Sequence, residues 1–103
     1  MFIFYKVNTV NTEARKINVT AIHAAFKTAR LKRKITPLRF CLANGEQHEI
    51  AEIRRSYTDR VGASTYVHFV VRSRDDRYFD IVYDSREMDW RLVLEIEDSM
   101  ILR

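Results

Sequence analysis

The pattern of hydrophobic and polar positions changes at Pro37, the only proline in the chain. After Pro37, apolar residues recur at alternate positions, which is typical of strands with one buried face. Before it, residues 2–7 are rich in aromatic and β-branched side chains and predict a strand, with a turn after it. Residues from about 20 to 34 are rich in Ala, Lys, Arg and Leu and predict a helix that ends before the proline.

The predicted helix is amphipathic with a basic outer face. At 100° per residue, its cations fall mainly on one stripe, and Ile22, Phe26 and two alanines fall on the opposite side. The start of the helix is open, because residues 15–20 alternate between polar and β-branched side chains. Those residues could instead form a strand that pairs with residues 2–7.

The segment 38–97 predicts an antiparallel meander of about five strands. In its first hairpin, a three-residue loop with Gly45 in the left-handed conformation places Phe40 opposite His48 and Arg39 opposite Glu49. The second hairpin turns at residues 74–76. Its predicted core-facing pairs join Val67, Phe69 and Val71 to Tyr83, Ile81 and Phe79, respectively. The last strand is expected to point Trp90, Leu92, Leu94 and Ile96 inward.

These elements predict a single domain over residues 1–103 in the α+β class. The meander is expected to curve and partly close, like a small barrel, and to be accompanied by the N-terminal strand and the basic helix. The helix could cover the outer sheet face or pack at the barrel end. In the second case the outer face is left open for self-association.

A pattern in the second half resembles that of short bacterial β-rich domains of unknown function. It consists of RF-x4-G-x2-H-x-I-x-E-I from Arg39, then YFDIVYD, then WRL ending at Leu92. The resemblance covers about half the chain and implies a bacterial β-rich module. It implies no catalytic residue.

Charge is distributed unevenly along the chain. The net charge is +4, but residues 1–40 hold nine Lys and Arg against one acid, whereas residues 41–103 hold nine Arg against thirteen acids. A polyanion partner for the first part would explain this asymmetry, and so would a basic helix lying against an acidic sheet of its own or a second chain.

Cellular location is indicated by the single cysteine, Cys41, which excludes an internal disulfide and favours a reducing compartment. No segment has the length and apolar character of a membrane span or of a signal peptide. We therefore expect a cytoplasmic protein with no membrane partner.

Catalytic and metal-binding signatures are absent from the sequence. The three histidines lie at no metal-ligand spacing, and the glycines form no phosphate-binding loop. His48 is expected to be structural, beside Phe40. His68 lies diagonal to Asp80 and Asp84 on the outer face, so a small enzyme using this cluster is the third of our hypotheses. We expect no cofactor, no metal and no catalytic residue.

The leading hypothesis is a small non-enzymatic binding module that contacts nucleic acid or another polyanion through the basic helix. Its predicted polyanion-binding residues are Lys16, Lys27, Arg30, Lys32, Arg33 and Lys34. The alternative is a protein interaction or self-association module, in which an acidic protein or a second copy of the chain is the partner. Its predicted interaction face comprises Tyr66, His68, Arg72, Tyr78, Asp80 and Asp84.

Overall fold

The computed structural model describes residues 15–96, which form six antiparallel strands closed into a barrel. The strands are β1 (Lys16–His23), β2 (Ile35–Cys41), β3 (Gln47–Val61), β4 (Ser64–Ser73), β5 (Tyr78–Asp84) and β6 (Asp89–Ile96). Each strand pairs with its neighbours in sequence, and β1 closes the barrel by pairing with β6 through Lys16 opposite Arg91 and Ile17 opposite Trp90. The described chain is therefore all-β.

The core lies inside the barrel and is built from alternate positions of the strands. Its buried members are Ile17, Phe40, Phe69, Val71, Phe79, Ile81 and Trp90. The rings of Phe40 and Phe79 meet edge to face at 5.0 Å. Burial of each such side chain contributes about 1.5–3 kcal/mol relative to exposure, so this cluster is the main source of stability.

Both predicted hairpin registers are confirmed. Phe40 pairs with His48 and Arg39 with Glu49, and Gly45 has a φ of 92°. In the second hairpin the three predicted core-facing pairs of β4 and β5 are all present. The alternation of buried and polar side chains fixes these registers, because a slip of one residue would turn every core residue outward.

The predicted basic helix and the α+β class are wrong. Residues 16–23 form β1, and residues 24–34 form an irregular connection that we call the β1–β2 loop. The alternative prediction of a strand at residues 15–20 agrees better with the observed β1. The partners of this strand within the described residues are β2 and β6, whereas the predicted partner was residues 2–7. The predicted strand at residues 2–7 lies outside the described residues.

The physical reason for this error is the balance between local preference and burial. As a helix, the segment would place cations of like charge three or four residues apart, which is unfavourable, and its apolar side offers little beyond alanines and Phe26. The first residues of the segment instead extend β1, which closes the barrel and buries Ile17, with Val19 and Ala21 packed partly against the core. The remaining residues, 24–34, connect β1 to β2. Tertiary burial therefore overrides the helix propensity of the sequence.

The predicted inward face of β6 is confirmed for Trp90 and Leu92. Leu94 is buried as expected, with 7% of its surface exposed, but a bulge places it opposite Asp80 and outside the main core cluster, so its predicted face is wrong. Glu95 then lies opposite Phe79, and its carboxylate contacts Arg77 at one end of the barrel. Bulges of this kind reverse the faces of the residues that follow them.

β3 is longer than the sequence pattern indicated. It pairs with β2 only near its start, and its second part, Arg54–Val61, is exposed and pairs with β4 up to the turn at Gly62. We call this two-stranded projection, residues 54–70, the β3–β4 ribbon. Its core-side positions on β3 include Ser56 and Thr58, opposite Phe69 and Val67.

Candidate anion-binding groove

Five of the six predicted polyanion-binding residues lie together in the β1–β2 loop. They are Lys27, Arg30, Lys32, Arg33 and Lys34. Lys16 lies apart, on β1, with its ammonium nitrogen 3.5 Å from a carboxylate oxygen of Asp89. The structure thus keeps most of the predicted cluster together, on a loop instead of a helix, and separates Lys16 from it.

The backbone of the β1–β2 loop is held by hydrogen bonds at its base and at its tip. At the base, the amide of Ala24 donates to the carbonyl of Lys34 at 2.8 Å. At the tip, the amide of Thr28 donates to the carbonyl of Leu31 at 2.9 Å, and Thr28 Oγ1 accepts from the amide of Leu31 at 3.0 Å. Threonine hydroxyls stabilise turns in this way, so the sequence itself fixes the tip that carries the cations.

An open groove of about 350 Å³ lies between this loop and the β3–β4 ribbon. We call it the basic groove. The residues that line it are Lys27, Lys32, Arg33, Lys34, Ile35, Ser56, Thr58, Val67 and Phe69. Cations therefore form one wall, hydroxyl groups form the other, and apolar side chains of β4 form the floor.

Among the residues that the structure describes, no acidic side chain compensates the charge of the basic groove. None of the described residues that line it is acidic. Between residues 15 and 96, no carboxylate comes within ion-pair distance of any of the five loop cations. A concave surface with cations along one wall concentrates positive potential where an anion could bind.

Most ion pairs of the described acids are with arginines of the second half of the chain. Arg72 lies 3.2 Å from Glu52 and from Asp76, and Arg91 lies 3.3 Å from Asp84. The exceptions are Asp89, beside Lys16, and Glu49, which lies 3.8 Å from Arg39. Neutralisation by the acidic sheet therefore accounts for Lys16 and Arg39 but not, within the described part of the chain, for the five loop cations.

One end of the barrel carries an ion-pair network that we call the ionic end. Arg77 donates to both carboxylate oxygens of Glu95 at 2.8 and 2.9 Å and to Glu46 at 3.0 Å. These hydrogen bonds, with Glu95 the strongest partner, raise the pKa of Arg77, and the bond from Arg77 lowers the pKa of Glu46. The Ser73 hydroxyl donates to Asp75 and lowers the pKa of that carboxyl.

His48 is buried inside this network, with 4% of its surface exposed. Its two ring nitrogens lie 3.5 Å from Glu46 and 3.5 Å from Asp75, and its ring contacts Phe40 at 5.3 Å. The expected position beside Phe40 is confirmed. Its surroundings are those of a structural histidine that joins the core to the ionic end.

The predicted interaction face lies on the outer side of β4 and β5. His68 Nδ1 lies 3.5 Å from Asp80 Oδ1, and its ring stacks on Tyr57 at 4.5 Å. Asp84 is instead buried beside Arg91 and accepts hydrogen bonds from the amides of the β5–β6 turn. The structure therefore brings His68 to one of the two predicted aspartates.

The remaining members of that face are tied to other partners. Arg72 donates to Glu52 and Asp76, and the Tyr78 hydroxyl accepts from Arg54 at 3.4 Å. Tyr66 lies opposite Asp59 and Asp84 in the sheet. The use of this face by a partner stays a prediction, as does the enzymatic hypothesis for His68.

Sequence reasoning missed Ser56, Thr58 and the stacking partner Tyr57. The available signal was the presence of strand-forming residues, Tyr57, Thr58 and Val61, before Gly62 at a turn. Phe26 was assigned to the buried side of the helix but is 69% exposed. No three His, Cys, Asp or Glu side chains between residues 15 and 96 are grouped as metal ligands.

Residues 15–96 contain no helix that is long and apolar enough to cross a membrane. Comparison of the chain with protein-family models, with curated proteins and with solved structures found no match.

Proposed function

We propose that this chain is a non-enzymatic binding module that holds a polyanion, with nucleic acid the preferred class, in the basic groove. The observation that carries the proposal is the set of five loop cations with no carboxylate partner in the described chain, four of which line a groove without acidic residues. In this proposal the cations act from a loop of fixed backbone and not from a helix.

The expected mechanism is electrostatic. Each cation that contacts a phosphate releases a condensed counterion, so affinity depends steeply on salt. If Lys27, Lys32, Arg33 and Lys34 each neutralise one phosphate of a single strand, the plot of log K against log salt has a slope of about −2.8. The hydroxyls of Ser56 and Thr58 lie on the facing wall and can donate to phosphate oxygens.

The test is a charge-neutral groove. The variant Lys27→Gln/Lys32→Gln/Arg33→Gln/Lys34→Gln removes the lining cations, and all four are side chains of the loop, outside the barrel core. We expect this variant to lose binding to a fluorescent oligonucleotide measured by anisotropy, whereas wild-type protein should bind it and release it when heparin is added. Circular dichroism should show an intact sheet.

The matched control is Arg74→Gln/Arg86→Gln combined with Lys16→Gln and Arg39→Gln. It removes the same charge from other parts of the surface. If this control loses as much affinity as the groove variant, net charge alone explains binding and the proposed site is wrong.

A cytoplasmic location is part of the proposal. It is supported by Cys41, which is a free thiol and partly exposed. Thiols of this kind persist in reducing compartments, where nucleic acid is also present.

A further inference from the structure

We propose that the ligand of the basic groove is a single strand of nucleic acid, and that Phe26 provides the surface on which one of its bases stacks. This inference rests on the proposed function and narrows it. Two observations support it: the β1–β2 loop that carries the cations also carries an exposed aromatic residue, and the groove has a narrow shape between the loop and the ribbon.

Phe26 has no packing role within residues 15–96 that explains its position. It is 69% exposed, whereas Phe40, Phe69 and Phe79 are each at most 2% exposed. It belongs neither to the core cluster nor to the apolar residues packed against that cluster. An exposed phenyl ring loses the free energy that burial would provide, so a ligand that covers it gains affinity.

Phe26 belongs to the same loop as the cations. Phe26 directly precedes Lys27, which lines the groove, and both belong to the loop closed by the hydrogen bond between Ala24 and Lys34. A basic groove with an adjoining aromatic side chain is the arrangement that binds single strands, because the backbone follows the cations while the bases stack. Heparin-like polyanions have no base and cannot use the ring.

The shape of the groove favours one strand over a duplex. The loop cations face the inner side of the β3–β4 ribbon across a space of about 350 Å³. The inner face of the ribbon is turned toward the loop, so this face cannot enter the major groove of a duplex while the loop lies beside it. A single strand fits in the space between, with phosphates toward Lys32 and Lys34.

The experiment compares three probes of equal length: oligothymidylate, an abasic oligomer with the same phosphates, and a duplex. We expect Phe26→Ala to weaken oligothymidylate binding about fivefold or more and to leave abasic binding unchanged. Phe26→Tyr should retain affinity and Phe26→Leu should not, since stacking needs an aromatic ring. Wild-type protein should bind oligothymidylate more tightly than the duplex.

The failures of the two proposals are distinguishable. If Phe26→Ala binds oligothymidylate as wild type does, or if the duplex binds more tightly, the single-strand inference is overturned while polyanion binding stands. If wild-type protein binds none of the three probes, the proposed function fails and the inference fails with it. Because Phe26 is exposed, these variants are expected to fold, and thermal denaturation checks this.

Discussion

Placing two carboxylates in the basic groove is the most informative perturbation of this structure. Ser56 and Thr58 are exposed on β3 and form the wall that faces the loop cations. In the variant Ser56→Glu/Thr58→Glu, each new carboxylate competes with a phosphate for the same lysines and arginine. The barrel core contains neither residue, so the fold should be retained.

The size of the effect follows from the number of phosphates displaced. With four lining cations the single-strand slope is about −2.8, and with two of them neutralised internally it is about −1.4. At about 0.1 M salt, two fewer phosphate contacts correspond to about 1.4 logarithmic units, or about a 25-fold loss of affinity. The two curves should converge as the salt concentration approaches about 1 M.

Fluorescence anisotropy with a labelled oligothymidylate measures both the affinity and the slope. The control Gln47→Glu/Ala63→Glu adds the same charge at exposed positions outside the groove lining. We expect the control to stay within about threefold of wild type, since exposed charges farther than a Debye length are screened. Equal losses in the two variants, or no loss in either, would refute the assignment of the groove.

Three further predictions concern the scaffold. Arg77→Met should lower the free energy of unfolding by about 1–2 kcal/mol and the melting temperature by about 5–10 °C. The reason is the loss of the charged hydrogen bonds to Glu95 and Glu46, whose strength is reduced by partial exposure to solvent. An unchanged melting temperature in calorimetry would contradict the role of the ionic end. In the folded protein the pKa values of Glu46 and Asp75 lie below their ordinary values of 4.5 and 3.8. The stability that these carboxylates contribute is therefore present above pH 4.5 and is lost as the pH falls through their lowered, folded-state pKa values. Urea unfolding at neutral and acidic pH should show this loss of stability, and the loss should be smaller in Glu46→Gln. Gly45→Ala should cost about 1 kcal/mol in chemical denaturation through its positive φ alone, since an added Cβ would meet no atom within 4 Å.

The parts of the fold that the sequence predicted correctly are those in which local pattern and tertiary burial agree. In β4 and β5, alternate apolar residues bury Phe69 and Ile81, and the turn between them has polar residues with Asp76 at a φ of 63°. Gly45 similarly fixes the first hairpin. Period-two patterns that bury one face specify register strongly.

The parts that were missed are those in which local preference and burial conflict. Residues from about 20 to 34 have helix-forming composition, but the first of them belong to β1, whose pairing with β2 and β6 closes the barrel and buries Ile17. The bulge that displaces Leu94 depends on the partner strand and leaves no mark in the alternation of β6 itself. Non-local pairing of this kind cannot be read from a local window of sequence.

The sequence identified the cations of the candidate site but did not predict the groove that they line. Lys32, Arg33 and Lys34 were identified because cations so close together need a partner or solvent. Their arrangement around a groove required the loop, and the facing wall required the extension of β3. Phe26 was hidden by the incorrect helix, whose apolar side it was assigned to.

Binding in the basic groove requires that its lysines and arginine are free to neutralise phosphates. The decisive measurement is the salt dependence of wild-type binding to an oligothymidylate, followed by anisotropy from about 50 to 300 mM salt. We expect a straight line of slope about −2.8 in log K against log salt. A slope between zero and about −1, or no binding at the lowest salt concentration, would contradict it.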